Sequence, residues 1–270
     1  MNIVLVHGAW AGPWVWDTLL APLRAAGHIP HPLSLPGAGT WGEEDITLDD
    51  VAAYVAEYVR GLGEPVVLIG HSGGGIVATQ VTELLPGNVA GVAYVAGMML
   101  PSGTDFGMLC DSIRLVAPVG ISAWLQPTAD GRGTVVPPEA GAAVFFHEAA
   151  VADAVGAARR LVPQLETARL MAPTWTPGRF GSVPRLYVEA TLDRSVPLAA
   201  QREMQRRVPG AQVVTLDSDH APQLSAGVGL VGALTGFIAQ CAEDCTTPMP
   251  IGRSLAVRHR PRAAGHGPGR

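Results

Sequence analysis

A serine between two glycines joins a run typical of a buried strand to a run typical of a helix. The strand is Val66–Ile69, the serine motif is Gly70-x-Ser72-x-Gly74, and the helical run continues from Ile76. A serine hydroxyl raised at the edge of a sheet requires a tight, strained turn, and the two glycines remove side chains that would clash there. The pattern predicts a nucleophilic Ser72, with the first amides of the following helix directed at a developing oxyanion.

Short apolar runs alternate with amphipathic runs over most of the chain. The other candidate buried strands are Val4–Val6, Val89–Val95, Leu186–Val188 and Val213–Leu216, with Ile29–Leu33 a weaker candidate. The clearest helix begins after Thr47, a residue suited to an N-cap, and its apolar face runs from Val51 to Leu62 and includes Tyr54 and Tyr58. The alternation predicts an α/β fold, in which helices cover both faces of a mainly parallel sheet of about six strands.

This alternation stops between about Thr104 and Ser182. The segment has helical patches at Ala140–Leu161 and Leu165–Met171, and strand-like sequence resumes at Val183. We therefore expect an α/β core of residues 1–103 and 183–245 and a helical cap insertion of residues 104–182 over the carboxyl ends of the strands. Residues 246–270 form a basic, proline-containing tail that is expected to be flexible.

Composition excludes several kinds of chemistry. All 18 basic residues are arginine, and a chain without lysine has no Schiff base, pyridoxal phosphate anchor or phosphate-loop lysine. Residues 1–245 hold 13 arginines and 23 acids, which gives no reason to expect nucleic acid or an anionic membrane as a partner. The tail carries five arginines and no acid, and is either a solvated extension or a contact for a polyanion.

The spacing of the cysteines bears on metal binding, and the length of the apolar runs bears on the cellular location. Cys110, Cys241 and Cys245 form neither a disulfide framework nor a zinc spacing, so we expect no metal site. The apolar runs are far shorter than the ~18 residues of a membrane span, and no signal peptide precedes the strand-like run at Met1. The sequence therefore predicts a cytoplasmic protein.

Two further stretches complete a candidate catalytic site. His7-Gly8-Ala9-Trp10 directly follows the first strand, and we expect the Ala9 and Gly73 amides to form an oxyanion hole.

The order Ser, Asp, His along the chain supplies the rest of a triad. Asp193 ends the stretch that contains Leu186–Val188, and His220 follows the last strand. Asp193 would hold the His220 ring in one tautomer, and His220 would accept the Ser72 proton. Asp105, after an earlier strand, is a competing acid.

Other candidates have a structural alternative. The expected substrate-binding residues are Trp10, beside the oxyanion loop, and Trp124 and Trp175, which either roof the site or pack within the insertion. The side chains of His71 and His147 are expected to be structural. Asp217 and Asp219 are expected to be loop carboxylates near the histidine.

These residues resemble the α/β-hydrolase superfamily and, within it, the branch of plant methylesterases (salicylate-binding type) and hydroxynitrile lyases, with bacterial esterase relatives. The resemblance covers residues 2–240 and rests on Leu5–Trp10 with Trp14 and Trp16, Gly70–Ser72, Phe145–Glu148, Asp193–Pro197 and Asp219-His220. It implies Ser72 as nucleophile, His220 as base, Asp193 as orienting acid, Ala9 and Gly73 as oxyanion donors, and no cofactor.

Two positions depart from the family pattern. The lyases have a lysine after the catalytic histidine, where this chain has Ala221, which argues against cyanohydrin cleavage. The plant esterases usually carry leucine after the serine, where this chain has Gly73, so their substrates are not carried over.

The expected function is a serine carboxylic-ester hydrolase that acts on a small to medium hydrophobic ester through an acyl-enzyme. The expected partner is a small-molecule ester or thioester, and a homodimer is left open. One alternative is a biosynthetic enzyme with the same residues, such as a thioesterase, lactonase or cyclase. Another is a ligand receptor without catalytic activity.

Overall fold

The structure of the protein, a computed structural model, describes residues 1–246, so the predicted tail beyond Thr246 lies outside the described residues. The strands are β1 (Asn2–Val6), β2 (Ile29–Leu33), β3 (Val66–His71), β4 (Val89–Val95), β5 (Gln126–Pro127), β6 (Gly133–Val135), β7 (Gln164–Leu165), β8 (Arg185–Ala190) and β9 (Ala211–Leu216). The helices are α1 (Asp17–Ala25), α2 (Leu48–Gly61), α3 (Gly74–Leu84), α4 (Phe106–Ser112), α5 (Pro138–Val144), α6 (Val151–Ala158), α7 (Leu198–Arg207), α8 (Pro222–Ser225) and α9 (Gly227–Thr246).

Six strands form one sheet in the order β2-β1-β3-β4-β8-β9, and every neighbouring pair is parallel. Both faces are covered. Ile3 and Leu5 of β1 pack with α1 and α9, while Val4 and Val6 pack with α2 and α3. This confirms the predicted α/β fold, and it explains why the central strands read as unbroken apolar runs.

Helix α2 follows the prediction at its start and departs from it along its face. Thr47 is the N-cap and forms a reciprocal capping box with Asp50. Tyr54 and Tyr58 are 43% and 37% exposed, however, so they are not part of the buried face. That face is completed instead by two small buried residues, Ala52 and Ala56.

The last strand differs from its prediction as a buried strand. β9 lies at the edge of the sheet with β8 as its one neighbour in the sheet, and Val213 is 48% exposed. Its apolar side chains satisfied the sequence pattern, but the edge position leaves part of them in solvent.

The segment between β4 and β8 contains α4, α5 and α6, together with an antiparallel sheet in the order β5-β6-β7 that the sequence pattern did not predict. The patch at Leu165–Met171 was predicted to be helical and is not. Leu165 ends β7, and its amide donates to Gly37 O at 2.8 Å, so its backbone is committed to strand pairing and a neighbouring loop. Through residue 246, none of the helices combines the length and apolar character needed to cross a membrane.

Candidate active site

Ser72 occupies the turn between β3 and α3 in a strained backbone conformation. Its φ is +52°, in the left-handed region that side-chain-bearing residues rarely adopt. A Cβ at Gly70 would lie 2.7 Å from Gly74 O, and a Cβ at Gly74 would lie 2.3 Å from Val6 O. Both distances are too short for any side chain, so the backbone packing around Ser72 accounts for the two glycines of the motif.

His220 and Asp193 form a buried pair. His220 Nδ1 lies 2.8 Å from Asp193 Oδ2, and the two side chains are 4% and 0% exposed. Asp193 Oδ1 accepts hydrogen bonds from the amides of Ser195 and Val196, at 2.7 and 2.9 Å. With the Nδ1 proton donated to Asp193, His220 Nε2 is left as an acceptor, which is the tautomer that a general base requires.

Ser72 and His220 lie at the same cavity but are not hydrogen-bonded to each other. Both residues line it, but no hydrogen bond connects Ser72 Oγ with His220 Nε2. In enzymes without substrate such bonds are often long and shorten only when the substrate binds.

The backbone around Ala9 and Gly73 leaves two amides available near Ser72. A Cβ placed at Gly73 would lie 3.9 Å from Ala9 N, and a Cβ at Gly8 would lie 2.7 Å from Ser72 Cβ, so the loops after β1 and β3 are in close contact. Among the described residues neither amide has a hydrogen-bond acceptor, and Ala9 and Gly73 both line the cavity. Two free donors beside a serine can bind an oxyanion.

The cavity has a volume of about 590 Å³ and mostly apolar walls. Phe145 lies between His220 and Trp10. Its ring centroid is 5.3 Å from that of His220 and 6.3 Å from that of Trp10, on which it stacks. Met98 and Phe106 contribute to the wall formed by the core and α4.

Of the three predicted substrate-binding tryptophans, the structure places only Trp10 at this cavity. Trp124 is 58% exposed and lines a separate pocket against α5. Trp175 packs on Phe180 with ring centroids 5.0 Å apart, and its Nε1 donates to Leu100 O. The indole N–H of Trp175 is thus committed to the core, and neither residue roofs the serine.

The remaining candidates also have definite positions. Asp105 is the N-cap of α4 and accepts a bond from Met108 N, so although it lines the cavity, it is Asp193 that bonds to His220. The side chain of His147 is 8% exposed, with Nε2 3.7 Å from Glu148, and the residue does not line the cavity.

Two buried histidines flank the site in neutral form. Burial lowers the pKa of His7 to about 4. Its Nδ1 donates to Gly8 O and its Nε2 accepts from Leu35 N. Burial, together with charge on His220, lowers the pKa of His71 to about 3, and His71 Nε2 donates to His220 O at 2.7 Å. His71 therefore supports the backbone of His220.

Two polar residues near the triad make contacts that no sequence signal predicted. Gln201 on α7 donates to Asp193 Oδ2 at 3.4 Å and to Val196 O at 2.8 Å, and no motif marked it. Asp219, expected to be a loop carboxylate near the histidine, lies in the loop before His220 and is fully buried, and it accepts bonds from Glu148 N, Ala221 N and Ser225 Oγ. No local signal distinguished it from Asp217.

Comparisons with known proteins agree with this fold. A model of the alpha/beta hydrolase family matches residues 3–233. Methylesterase 7 of Arabidopsis thaliana is 29% identical over 238 residues, which cover 83% of this chain and 91% of that protein. A pyrethroid hydrolase of Sphingobium wenxiniae is 28% identical over 261 residues, covering 93% and 92%. The crystal structure of a pyrethroid hydrolase from Sphingobium faniae superimposes with a TM-score of 0.78 at 28% identity, over 90% of this chain and 99% of that one.

Proposed function

The chain belongs to the alpha/beta hydrolase family, and from that membership we propose that it is a serine carboxylic-ester hydrolase with Ser72, His220 and Asp193 as its triad. The predicted hydrolase class agrees with the relatives, which are named as esterases and hydrolases. The observation that carries the proposal is the buried 2.8 Å contact of His220 Nδ1 with Asp193 Oδ2, at a cavity that Ser72 also lines.

In the proposed reaction Ser72 Oγ attacks the ester carbonyl while His220 Nε2 takes its proton. The carbonyl oxygen becomes an oxyanion, which the amides of Ala9 and Gly73 stabilise. His220 then gives its proton to the departing alcohol, and an acyl group remains on Ser72. Water, deprotonated by His220, attacks the acyl group and releases the acid, after which the proton returns to Ser72.

The proposed substrate is a small to medium hydrophobic ester. A cavity of about 590 Å³ is of the size that holds a small organic ligand, and its walls are mainly apolar. The names of the relatives, which include a methyl jasmonate esterase of Vitis vinifera and a pyrethroid hydrolase, support small-molecule esters.

The test uses short-chain p-nitrophenyl esters and a fluorophosphonate probe. We expect turnover and covalent labelling in the wild type, and loss of both in Ser72→Ala. Ser182→Ala is the matched control, because Ser182 is exposed, its hydroxyl donates to Arg179 O, and it does not line the cavity. Labelling without turnover would favour a specialised biosynthetic substrate. Folded wild-type protein with neither signal would contradict the proposal and favour a receptor.

A further inference from the structure

Trp10 has a backbone conformation that its residue type disfavours. Its φ is +57°, and a bulky aromatic residue in the left-handed region is an outlier that its surroundings must hold in place. Trp10 directly follows Ala9, whose amide is a proposed oxyanion donor.

The backbone of Trp10 is held on both sides by the insertion. Its N–H donates to Gln164 Oε1 at 3.3 Å, and its C=O accepts from Val162 N at 2.8 Å. Gln164 is 4% exposed, and its Nε2 donates to Gly37 O at 3.0 Å and to Leu165 O at 3.3 Å. All the hydrogen-bonding atoms of this amide are therefore engaged, which fixes where Oε1 lies.

The indole of Trp10 is held by the same part of the insertion. Its Nε1 donates to Thr134 Oγ1 at 3.1 Å, and that hydroxyl donates to Glu166 Oε1 at 2.6 Å. Glu166 also accepts from Arg169, whose guanidinium lies 5.2 Å from the centroid of the Trp10 ring. The chain of contacts returns to the ring from which it starts.

We propose that Gln164 is a positioning residue of the oxyanion hole, a role that rests on the proposed function. Gln164 itself lines the cavity, and by accepting the Trp10 N–H it fixes the orientation of the peptide between Ala9 and Trp10. The preceding amide, that of Ala9, is then left free to meet the substrate oxygen. In this proposal the insertion covers the catalytic residues of the core and also positions the Ala9 amide that binds the oxyanion.

The test compares Gln164→Met, which keeps length and removes hydrogen bonding, with Gln80→Met. Gln80 is also buried, and its Oε1 accepts the amide of another insertion residue, Thr174, but it does not contact the oxyanion loop. We measure kcat and KM on a p-nitrophenyl ester and the inhibition constant of an aryl trifluoromethyl ketone. Ser72 adds to this ketone, so that its oxygen occupies the oxyanion hole.

In Gln164→Met we expect kcat to fall roughly 10- to 100-fold, a part of what the loss of a whole oxyanion donor causes. The inhibition constant should rise by a similar factor, while KM changes little. In Gln80→Met all three values should stay close to those of the wild type. Equal effects in both variants, or an unchanged kcat and inhibition constant in Gln164→Met, would overturn the inference.

Thr134→Val provides a second route if Gln164→Met does not fold, since it removes the hydrogen bonds of Thr134 to the Trp10 indole and to Glu166 and leaves Gln164 in place. We expect the same direction of change, weaker inhibition by the ketone and a lower kcat, and an unchanged inhibition constant would count against the inference. A folded wild type that neither hydrolyses esters nor binds the ketone would overturn the proposed function and this inference together. An active wild type with unaffected variants would overturn the inference alone.

Discussion

The glycines around Ser72 look equivalent in the sequence but meet very different surroundings. Gly74 has no space for a side chain, because a Cβ would lie 2.3 Å from Val6 O. Gly73 has a helical φ of −58°, and its Cβ would meet only Ala9 N, at 3.9 Å. The Gly-x-Ser-x-Gly spacing identified the first kind of glycine, whereas the space beside Gly73 depends on the loop after β1.

We therefore expect Gly73→Ala to fold and to keep esterase activity close to the wild type. Gly74→Ala should lower the free energy of unfolding by about 3 kcal/mol or more, since the added methyl overlaps the backbone of Val6 and His7. Urea denaturation and kcat/KM on a p-nitrophenyl ester measure the difference. A stable, active Gly74→Ala would show that the two loops separate easily.

Asp219 allows a second prediction at this scale. It joins the amide of Glu148 in the insertion to the loop that carries His220, and it is completely buried. Asp219→Asn replaces one acceptor oxygen with a donor and leaves a buried hydrogen-bonding group unmatched, which costs about 1–3 kcal/mol. We expect a lower kcat together with a lower melting temperature.

Asp217→Asn is the control for this change. Asp217 lies two residues earlier, is exposed, and accepts one bond from Thr191 Oγ1. It should behave as the wild type does. An equal fall of kcat in both variants would mean that negative charge near His220 matters and that the buried hydrogen bonds of Asp219 do not. The sequence could not separate these two aspartates, because the partner that buries Asp219 is 71 positions away.

Among the secondary-structure elements, α3 connects the serine turn to the insertion. Its first residue follows the Ser72 turn, and near its other end Glu83 accepts bonds from Thr176 N, Thr176 Oγ1 and Phe180 N. These contacts anchor the end of the insertion before β8 begins.

Glu83→Ala should therefore destabilise the fold without altering the chemistry. Two backbone amides lose their acceptor, and we expect the free energy of unfolding to fall by about 2 kcal/mol. Because Glu83 lies a whole helix away from Ser72, kcat should stay within about twofold. Glu57→Ala, at an exposed position of α2, is the matched control. A kcat that falls with stability would mean that the anchor also shapes the site.

Helices and strands with a regular pattern of apolar residues were predictable from the sequence. Very short strands, which form only by pairing with one another, were not. The strand β3 and the start of α2 carry strong local signals, an apolar run and an N-cap. The sheet β5-β6-β7 consists of strands of two or three residues, too short to show an alternation. Trp124 and Trp175 were misplaced for the same reason, since nothing local showed which way the insertion turns.

For the molecule as a whole, the alternation of strands and helices was sufficient to predict a parallel sheet with two covered faces. The chain order of Ser72, Asp193 and His220 then gave an expected site, because the carboxyl ends of parallel strands meet at one edge. What remained hidden were the contacts made across long stretches of chain, such as those of Gln164 and Gln201.

The buried histidines predict how the stability of the whole fold depends on pH. In the unfolded chain His7 and His71 titrate near pH 6.5, whereas in the folded protein their pKa values are about 4 and about 3. Between pH 7 and pH 5 only the unfolded chain takes up these protons, so lowering the pH favours unfolding. The expected loss is about 2 kcal/mol for each histidine.

Urea denaturation at the two pH values measures this loss, and His7→Gln should remove about half of it. The comparison concerns the difference between pH 7 and pH 5 within each variant, so a general loss of stability in His7→Gln does not affect it. Equal stability of the wild type at both pH values would show that neither ring stays neutral through burial.

The insertion enters after β4 and leaves before β8, two strands that are neighbours in the sheet. Its early part, around α4, supplies cavity wall such as Phe106 and Leu115, while residues 162–169 hold Trp10. The later stretch also lines the cavity, through Gln164, Ala168 and Arg169. Among the described residues, however, the hydrogen bonds to the Trp10 backbone come from this later stretch and not from the part around α4. Evolution, or an engineer who exchanges residues 105–122 between relatives, can change what fits inside and leave the catalytic apparatus assembled.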